Sequence, residues 1–219
     1  MTTRKRIDPT AMLIGDVMID SGSYIGPFCV LGFPQDEKVL NSVAIGARVG
    51  RRARSGVRIK EKCCLLSHVV IGERTVLGAE VWCDHHTYIG CYTTVGDGVE
   101  IMYGARIYNR VKIGQRAWVA GFVCNDSIIE RDAIVLGQLI HRFVDAVEGV
   151  PEPAPVIREG AFVGMNSTII GGIEIGVRAY IAAGAVLTRD ALPGRLYAGI
   201  PARNIGRAPE PFRLRAKTK

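Results

Sequence analysis

The fold of this chain is decided by residues 69–96, which read VVIGERTVLGAEVWCDHHTYIGCYTTVG. Within this stretch an aliphatic residue recurs every six positions, at Ile71, Leu77, Ile89 and Val95. The one gap in the series is filled by Cys83, a small residue of the buried type. A small or β-branched residue stands two positions before each member of the series, and glycine often follows it. The period is therefore six, and it runs on from Ile59 to Val119.

A period of six excludes the two common regular patterns. An amphipathic helix needs apolar residues spaced near 3.6, and a simple strand alternates at two. Short strands with a turn after every pair of inward residues, stacked into a prism, fit the spacing. The register returns with slips in an early block from Ile7 to Leu31 and a late block from Ile157 to Leu187. We expect loops or slips where it fails, at residues 33–42, 46–57, 125–128 and 141–156.

This repeat resembles that of the bacterial hexapeptide-repeat family, over about residues 7 to 205. The resemblance implies an all-β fold, a left-handed parallel β-helix with three hexapeptides per coil and protruding loops. It also implies a homotrimer of prisms packed side by side. We therefore expect one β-helix domain over residues 1–206, with excursions at about 33–42 and 141–156. A basic C-terminal tail over residues 207–219 follows it.

Composition narrows the class of protein. Hydrophobic residues make up 48% and charged residues 22% of 219, which are globular proportions. No apolar run is long enough to cross a membrane, and no secretory signal begins the sequence, so a cytoplasmic protein is expected. None of the six cysteines forms a C-x-x-C pair, which favours reduced thiols. The net charge of +7, with an arginine run from Arg48 to Arg58, fits a solvated basic face, an anionic ligand or nucleic acid.

The strongest local signal is the stretch from Cys83 to Gly90, CDHHTYIG. It resembles the H-[DN]-x-x-[ILV]-G element of hexapeptide acyltransferases that act on nucleotide-linked sugars and lipid A precursors. In those families the histidine is the general base, and His85 is the residue that matches it. His86 stands where the family has an acidic or amide residue, so Asp84 is a candidate to orient His85 instead.

Acyl transfer explains why a histidine is needed. A nucleophilic amine or hydroxyl must lose a proton as it attacks a thioester, and histidine titrates near neutral pH. A metal site is the alternative chemistry, because His68 lies eighteen positions before His86 and the two should stack on successive coils. A zinc site would need a third ligand, for which His141 is the remaining histidine, as in carbonic anhydrases of this fold. We favour the acyltransferase and expect no metal.

The remaining site residues follow from the same resemblance. The oxyanion of the reaction needs a donor, and the thioester needs close access to the backbone, for which Gly104 and Gly121 are candidates one and two coils after His85. The segment from Ile181 to Arg203 resembles the closing coils of coenzyme A-dependent acetyltransferases. There the small residues line the pantetheine groove and the basic residues face the phosphates. These positions correspond here to Ala182, Ala183, Gly184, Arg189 and Arg203.

The predicted function is therefore transfer of an acyl group, most simply acetyl from acetyl-CoA, to an amine or hydroxyl of a small acceptor. A nucleotide-linked amino sugar is our first choice, rather than nucleic acid. Tyr88 and Tyr103 offer it stacking faces, and His141 belongs to the 141–156 loop that could overhang its pocket. The open alternatives are a zinc-dependent γ-type carbonic anhydrase-like protein and a non-catalytic β-helix scaffold.

Overall fold

Each hexapeptide forms one short strand and one corner. The structure, a computed structural model, describes residues 6–35, 56–142 and 152–210. These ranges contain twenty-eight β-strands and no helix. The strands form three sheets, which we name faces A, B and C, and they pair in parallel except for the last two strands of face A. The chain is thus a left-handed parallel β-helix, as its repeat predicts.

The strands are numbered in chain order. Face A contains β1 (Arg6–Ile7), β4 (Tyr24–Ile25), β7 (Cys64–Leu65), β10 (Trp82–Cys83), β13 (Glu100–Ile101), β16 (Trp118–Val119), β19 (Ile134–Val135), β22 (Phe162–Val163), β25 (Tyr180–Ile181), β27 (Arg195–Gly199) and β28 (Ala202–Arg207). Face B contains β2 (Met12–Leu13), β5 (Val30–Phe33), β8 (Val70–Gly72), β11 (Tyr88–Ile89), β14 (Arg106–Ile107), β17 (Phe122–Val123), β20 (Gln138–Ile140), β23 (Thr168–Ile170) and β26 (Val186–Leu187). Face C contains β3 (Met18–Ile19), β6 (Arg58–Ile59), β9 (Val76–Leu77), β12 (Thr94–Val95), β15 (Lys112–Ile113), β18 (Ile128–Ile129), β21 (Val156–Ile157) and β24 (Glu174–Ile175).

One coil consists of three successive strands, one on each face. Trp82 pairs with Glu100 and Tyr88 pairs with Arg106, so equivalent residues of these coils are eighteen positions apart. Successive side chains of a strand point to opposite sides, so the second residue of each strand faces inward. The predicted inward series is confirmed by its burial: Ile71, Leu77, Cys83, Ile89, Val95, Ile101, Ile107 and Ile113 are 0–3% exposed.

Among the described members of the predicted series, only the first two depart from this burial. Ile7 and Leu13 belong to the predicted series, yet they are 36% and 42% exposed. They pair with Ile25 and Leu31 on one side, and no described strand pairs with them on the other. A prism buries a coil only between two neighbours, so an end coil keeps part of its core surface open.

The corners hold their shape through hydrogen bonds between coils. The third residue of many corners has a positive φ although it carries a side chain, as at His68 (59°) and His86 (59°). Left-handed backbone costs about 1–2 kcal/mol per L-residue. The backbone N–H of such a residue donates to the preceding coil, from His86 to the carbonyl of Ser67 at 3.1 Å. Regular inter-coil bonding therefore supports the strained conformation.

The slip that the sequence suggested at 125–128 lies elsewhere. Trp118 pairs with Ile134 and Val123 with Leu139, both sixteen positions apart. Each of these two spacings is two residues short because one corner is shortened: the corners at 120–121 and 136–137 have two residues each in place of four. The prediction was wrong in position, because the inward residue after Val119 is Val123 and not residue 125. A second shortening, from Val135 to Leu139, was not predicted.

The two long interruptions of the repeat both lie between a face B strand and the next face C strand, between β5 and β6 and between β20 and β21. Most of each interruption lies outside the described residues, as does the arginine run apart from Arg58. At the C-terminus, β28 pairs antiparallel with β27 and ends at Arg207, one residue beyond the boundary predicted at 206. Most of the predicted tail, residues 211–219, lies outside the described ranges. Within those ranges no helix has the length and apolar character needed to span a membrane.

Candidate active site

The two adjacent histidines stand at an outer corner of the prism. We name the row of corners that join face A to face B the histidine edge. It consists of residues 8–11, 26–29, 66–69, 84–87, 102–105, 120–121, 136–137, 164–167 and 182–185. His85 and His86 are both exposed, at the second and third positions of the corner 84–87. The other two rows are the loop edge, from face B to face C, and the charged edge, from face C back to face A.

The His85 ring is held by the coil before it. The hydroxyl oxygen of Ser67 lies 2.6 Å from His85 Nδ1, and the backbone N–H of Ser67 donates to the same nitrogen at 3.2 Å. Asp84, the candidate to orient His85, does not hold the ring. Its Oδ1 accepts from the backbone N–H of His85 at 2.7 Å instead. The carboxylate thus fixes the corner backbone, whereas the ring nitrogen is contacted by Ser67.

The His86 ring belongs to a ladder of stacked rings along the same edge. Its centroid lies 4.8 Å from that of His68 with the planes 23° apart, which confirms the predicted stacking. Phe28 continues the ladder below His68 at 5.1 Å, and Tyr103 meets His86 edge-on at 5.6 Å. Such offset and edge-to-face arrangements are favourable for aromatic rings. His86 is therefore a stacked neighbour of the candidate base.

Directly beyond Tyr103, the histidine edge has two shortened corners, 120–121 and 136–137, which we name the notch. Gly104 closes the corner before the notch, and its N–H donates to the carbonyl of His85 at 3.0 Å. A Cβ on Gly104 would meet no atom within 4 Å, so this backbone is open to an approaching ligand. Gly121 lies inside the notch, where a Cβ would come within 2.5 Å of the carbonyl oxygen of Gly137. Gly121 is therefore required for packing between coils.

The predicted cofactor residues are divided between two edges. Ala182, Ala183 and Gly184 form the corner 182–185, five coils after His85 on the histidine edge, about 24 Å along the prism at about 4.8 Å per coil. Arg203 pairs with Ala198 near the end of β27 that faces this edge. Arg189 follows β26 and lies on the loop edge instead. One edge therefore carries His85, Gly104, Gly121, the small-residue corner and Arg203.

The candidate acceptor residues are less close together. Tyr103 is on the histidine edge and is 67% exposed. Tyr88 points outward from face B, beside Tyr108 at 5.9 Å, and burial raises the pKa of its hydroxyl. His141 lies on the loop edge, where its Nδ1 is 4.0 Å from a Glu152 carboxylate oxygen. Tyr88 and Tyr103 can border one surface with His85, whereas His141 stands across face B.

The histidines do not converge on a metal site. His68 and His86 stack on the histidine edge, but His141 is on the loop edge. Throughout the described ranges no three His, Cys, Asp or Glu side chains lie close enough to hold a metal ion. His68, His86 and His141 of one chain therefore do not come together as the triad that the zinc alternative named.

Two other features lie away from the histidines. A cavity of about 520 Å³ is lined by Thr94, Lys112, Ile128 and Arg131 on face C and the charged edge. The charged edge also carries paired arginines, such as Arg116 with Asp132 at 2.7 Å and Arg158 with Glu174 at 2.6 Å. Acidic partners neutralise these guanidinium groups, so they do not form a free basic patch.

Sequence reasoning missed Ser67. A serine in a repeat corner is common enough to carry no signal by itself. The available signal was its spacing, because Ser67 stands eighteen positions before His85, as His68 does before His86. Applied to every corner residue, the coil length would have placed Ser67 beneath the candidate base.

Comparisons with known proteins agree with the repeat. The family described as bacterial transferase hexapeptide (six repeats) matches residues 154–189. A putative serine acetyltransferase of Schizosaccharomyces pombe is 30% identical over 115 residues, 51% of this chain and 42% of that protein. The bifunctional protein GlmU of Rubrobacter xylanophilus is 30% identical over 185 residues, 84% of this chain and 35% of that protein. The chain thus spans less than half the length of either relative.

Among solved structures, the Arabidopsis UDP-N-acetylglucosamine acyltransferase aligns with this chain. It is 15% identical, with a TM-score of 0.49, over 92% of this chain and 74% of that chain. The six-residue period, the coils that it builds and the family match at residues 154–189 lead to one conclusion. The chain belongs to the bacterial hexapeptide-repeat family.

Proposed function

We propose that the protein is an acyl-CoA-dependent acyltransferase, with acetyl-CoA as its simplest donor and His85 as its general base. The observation that carries this proposal is the histidine edge itself. His85, the open backbone at Gly104 and the small residues at 182–184 follow one another along a single edge. An extended pantetheine arm can lie along such a row of corners. The relatives named acetyltransferases support the same chemistry.

In this reading the thioester lies beside His85 and Gly104, and the arm runs along the edge towards residues 182–184. The phosphates of coenzyme A would then approach Arg203, which lies at the end of this edge. Arg189 is the weaker candidate, because it lies on the loop edge. His85 takes the proton of the attacking amine or hydroxyl, and the open space at Gly104 lets the thioester approach the backbone closely, although the Gly104 N–H is bonded to the carbonyl of His85.

The acceptor that we propose is a nucleotide-linked amino sugar. Tyr103 and Tyr88 border the surface next to His85 and suit a ligand with a planar or ring-shaped part. A serine acetyltransferase is among the relatives as well as GlmU, so the alternative acceptor to test is a hydroxyl compound such as serine. A screen of amino-sugar nucleotides and serine, with acetyl-CoA, would separate the two acceptor classes.

We also propose a homotrimer that works in the cytoplasm. Both tryptophans of the chain, Trp82 and Trp118, project from face A, and Phe162 stacks on Tyr180 there at 4.4 Å. Half-buried aromatic side chains on an outer face suit contact with a second copy. Face A borders the histidine edge, so such contact would bring the site close to a subunit boundary. The six cysteines are free thiols in the structure, and the proposal places the protein in a reducing compartment.

Replacement of the two histidines tests the catalytic proposal. We expect His85→Ala to lower kcat about 10²- to 10⁴-fold, because a general base is removed, and to leave coenzyme A binding nearly unchanged. His86→Ala should lower kcat less, because its ring only stacks beside the base. Steady-state kinetics measures the first effect, and the rise in melting temperature with coenzyme A measures the second.

Both variants must retain the wild-type circular dichroism spectrum. If His86→Ala is inactive and His85→Ala is nearly normal, the general base is His86 and not His85. Normal activity in both variants would contradict histidine catalysis. If coenzyme A fails to raise the melting temperature of the wild-type protein, the acyl-CoA donor itself is wrong.

A further inference from the structure

Face B has an almost uncharged outer surface. The first residue of a two-residue strand points outward, and among the face B strands of the described ranges Arg106 is the only charged residue. Its side chain is exposed. A single cation on an otherwise uncharged face marks the point of that face to which an anion is attracted.

Aromatic rings surround this arginine. Arg106 pairs with Tyr88 on one neighbouring strand and with Phe122 on the other. Its guanidinium carbon lies 6.0 Å from the centroid of the Phe122 ring. The Tyr108 ring lies between the other two, with its centroid 4.9 Å from that of Phe122 and 5.9 Å from that of Tyr88. The surface thus combines flat apolar rings with one charge, which suits a ligand that has both a ring and an anionic group.

The charge of Arg106 is not neutralised by an acid. In the part of the chain that the structure describes, no carboxylate lies within ion-pair distance of its guanidinium. Arg110 shows the contrast, because its Nε and Nη2 donate to the Asp126 carboxylate at 2.7 and 2.8 Å. A guanidinium can present the same two parallel donors to a phosphate. Arg106 therefore has donors to offer to a ligand.

Arg106 also stands next to the candidate active site. It directly follows the corner 102–105 that contains Gly104, and its backbone N–H donates to the carbonyl of Gly121 in the notch at 2.8 Å. The corner of His85 lies one coil before this corner, about 4.8 Å along the prism. An acceptor whose amine or hydroxyl meets His85 can therefore extend over face B to Arg106.

Two phosphate-bearing ligands take part in the proposed reaction. The phosphates of coenzyme A are directed to Arg203, near the corner 182–185, which lies four coils beyond the corner 102–105, about 19 Å along the prism. A nucleotide-linked sugar carries its diphosphate between the sugar and the nucleoside, and so closer to the reacting group. Arg106 is placed for this second diphosphate.

We propose that Arg106 binds the diphosphate of the acceptor, while the rings of Tyr88 and Phe122 pack against the ring-shaped parts of the same ligand. This inference rests on the acceptor class named in the proposed function, and it assigns the acceptor to face B. The guanidinium then determines specificity, because a nucleoside without phosphates gains nothing from it.

The test is the binding of uridine diphosphate and of uridine to the purified protein, measured by calorimetry without catalysis. Arg106→Gln removes the charge, and Arg106→Lys keeps the charge without the paired donors. Arg58→Gln is the matched control, because Arg58 is likewise the exposed first residue of a strand, on face C. All variants must retain the wild-type circular dichroism spectrum.

We expect Arg106→Gln to weaken the binding of uridine diphosphate on the order of 10-fold, and Arg106→Lys to weaken it less. Arg58→Gln should bind uridine diphosphate as the wild type does. Uridine should bind weakly and equally to all four proteins. The rise in melting temperature with coenzyme A should also be the same in all four.

Several results would overturn the proposal. These are no binding of uridine diphosphate to the wild type, unchanged binding in Arg106→Gln, or an equal loss in Arg58→Gln. A loss of coenzyme A binding in Arg106→Gln would assign this arginine to the donor instead.

The outcome also separates this inference from the proposed function. If serine binds through Arg106 and uridine diphosphate does not, the nucleotide acceptor is wrong and this inference fails with it. If uridine diphosphate binds through Arg106 but coenzyme A does not bind at all, the anion site on face B stands and the acyl-CoA-dependent activity fails. The two failures are therefore distinguishable.

Discussion

At the scale of single residues, the buried cysteines connect sequence, packing and pH. Burial raises the pKa of the Cys83 thiol well above its ordinary value of 9.0, and it raises that of Cys63 to about 11. Cys83 fills an inward position of the repeat, and the Cys63 thiol donates to the carbonyl of Gly78 at 3.0 Å. The neutral thiol is therefore the form that the folded prism accommodates.

The raised pKa of these thiols predicts a loss of stability at high pH. A group whose pKa is higher in the folded than in the unfolded state stabilises the fold fully below the unfolded pKa. This contribution disappears as the pH rises from about 9 through the folded value, about 11 for Cys63. We expect the melting temperature, measured with reductant, to fall between pH 9 and 11. The fall should be shallower in Cys63→Ala/Cys83→Ala, and equal slopes would contradict this account.

The candidate base illustrates a different property of single residues. The family motif was enough to single out His85, but the atoms around its ring belong to another coil. Ser67 contributes a hydroxyl and an N–H to Nδ1, whereas the adjacent Asp84 binds only backbone. From the sequence, the residues next to His85 could be judged as partners of its ring only by their chemical type. Which group touches the ring depends on which residue of the preceding coil stacks against His85.

At the scale of elements, the corners decide the shape of the edge. A regular corner has four residues, and the two corners of the notch beside Tyr103, 120–121 and 136–137, have two each. The period of six located the strands on both sides of each shortened corner. The same period placed the first shortened corner wrongly and did not predict the second. Valine and isoleucine occur at neighbouring positions in this part of the chain, so more than one set of residues could be taken as the inward series.

Two glycines of the histidine edge form a matched pair for testing this geometry. Gly121 has φ near 123°, and a Cβ there would come within 2.5 Å of the Gly137 carbonyl oxygen. Gly121→Ala should therefore lower the free energy of unfolding by about 2–3 kcal/mol. Gly104 has φ near 66°, with no atom within 4 Å of a Cβ, so Gly104→Ala should lower it by only about 1 kcal/mol.

Urea denaturation measures both differences, and circular dichroism establishes that both variants fold. Equal losses in the two variants would mean that the close approach of the shortened corners does not limit stability. A larger loss for Gly104→Ala would contradict the assignment of open space to that corner.

At the scale of the whole molecule, the prism is stabilised by stacking of equivalent residues. Each inner coil is covered by its neighbours, and the exposed Ile7 and Leu13 mark the coil with no described neighbour on one side. The outer surface is uneven. The charged edge is lined with ion pairs, the loop edge gives rise to both long interruptions, and face A carries the tryptophans. Such asymmetry allows one face to serve assembly while one edge serves chemistry.

The proposed trimer predicts a specific mass in solution. Light scattering at micromolar concentration should give three times the chain mass of 23.8 kDa. Trp118→Arg, which places a charge on face A, should reduce this mass if face A is the interface. Thr94→Arg on face C is the matched control and should leave the mass unchanged. A monomer mass for the wild-type protein would count against a site shared between subunits.

The sequence by itself determined the coil, the inward residues and the family, because each depends on a local pattern repeated many times. It also picked out His85 and the corner 182–184 through local motifs. Only the tertiary structure decided which of these motifs share an edge. The coils set Arg203 beside the corner 182–185 and moved Arg189 and His141 to the loop edge. The physical reason is that each corner lies on one of three edges. The edge on which a residue lies follows from the number of residues in all the coils before it, and each shortened or interrupted coil changes that number.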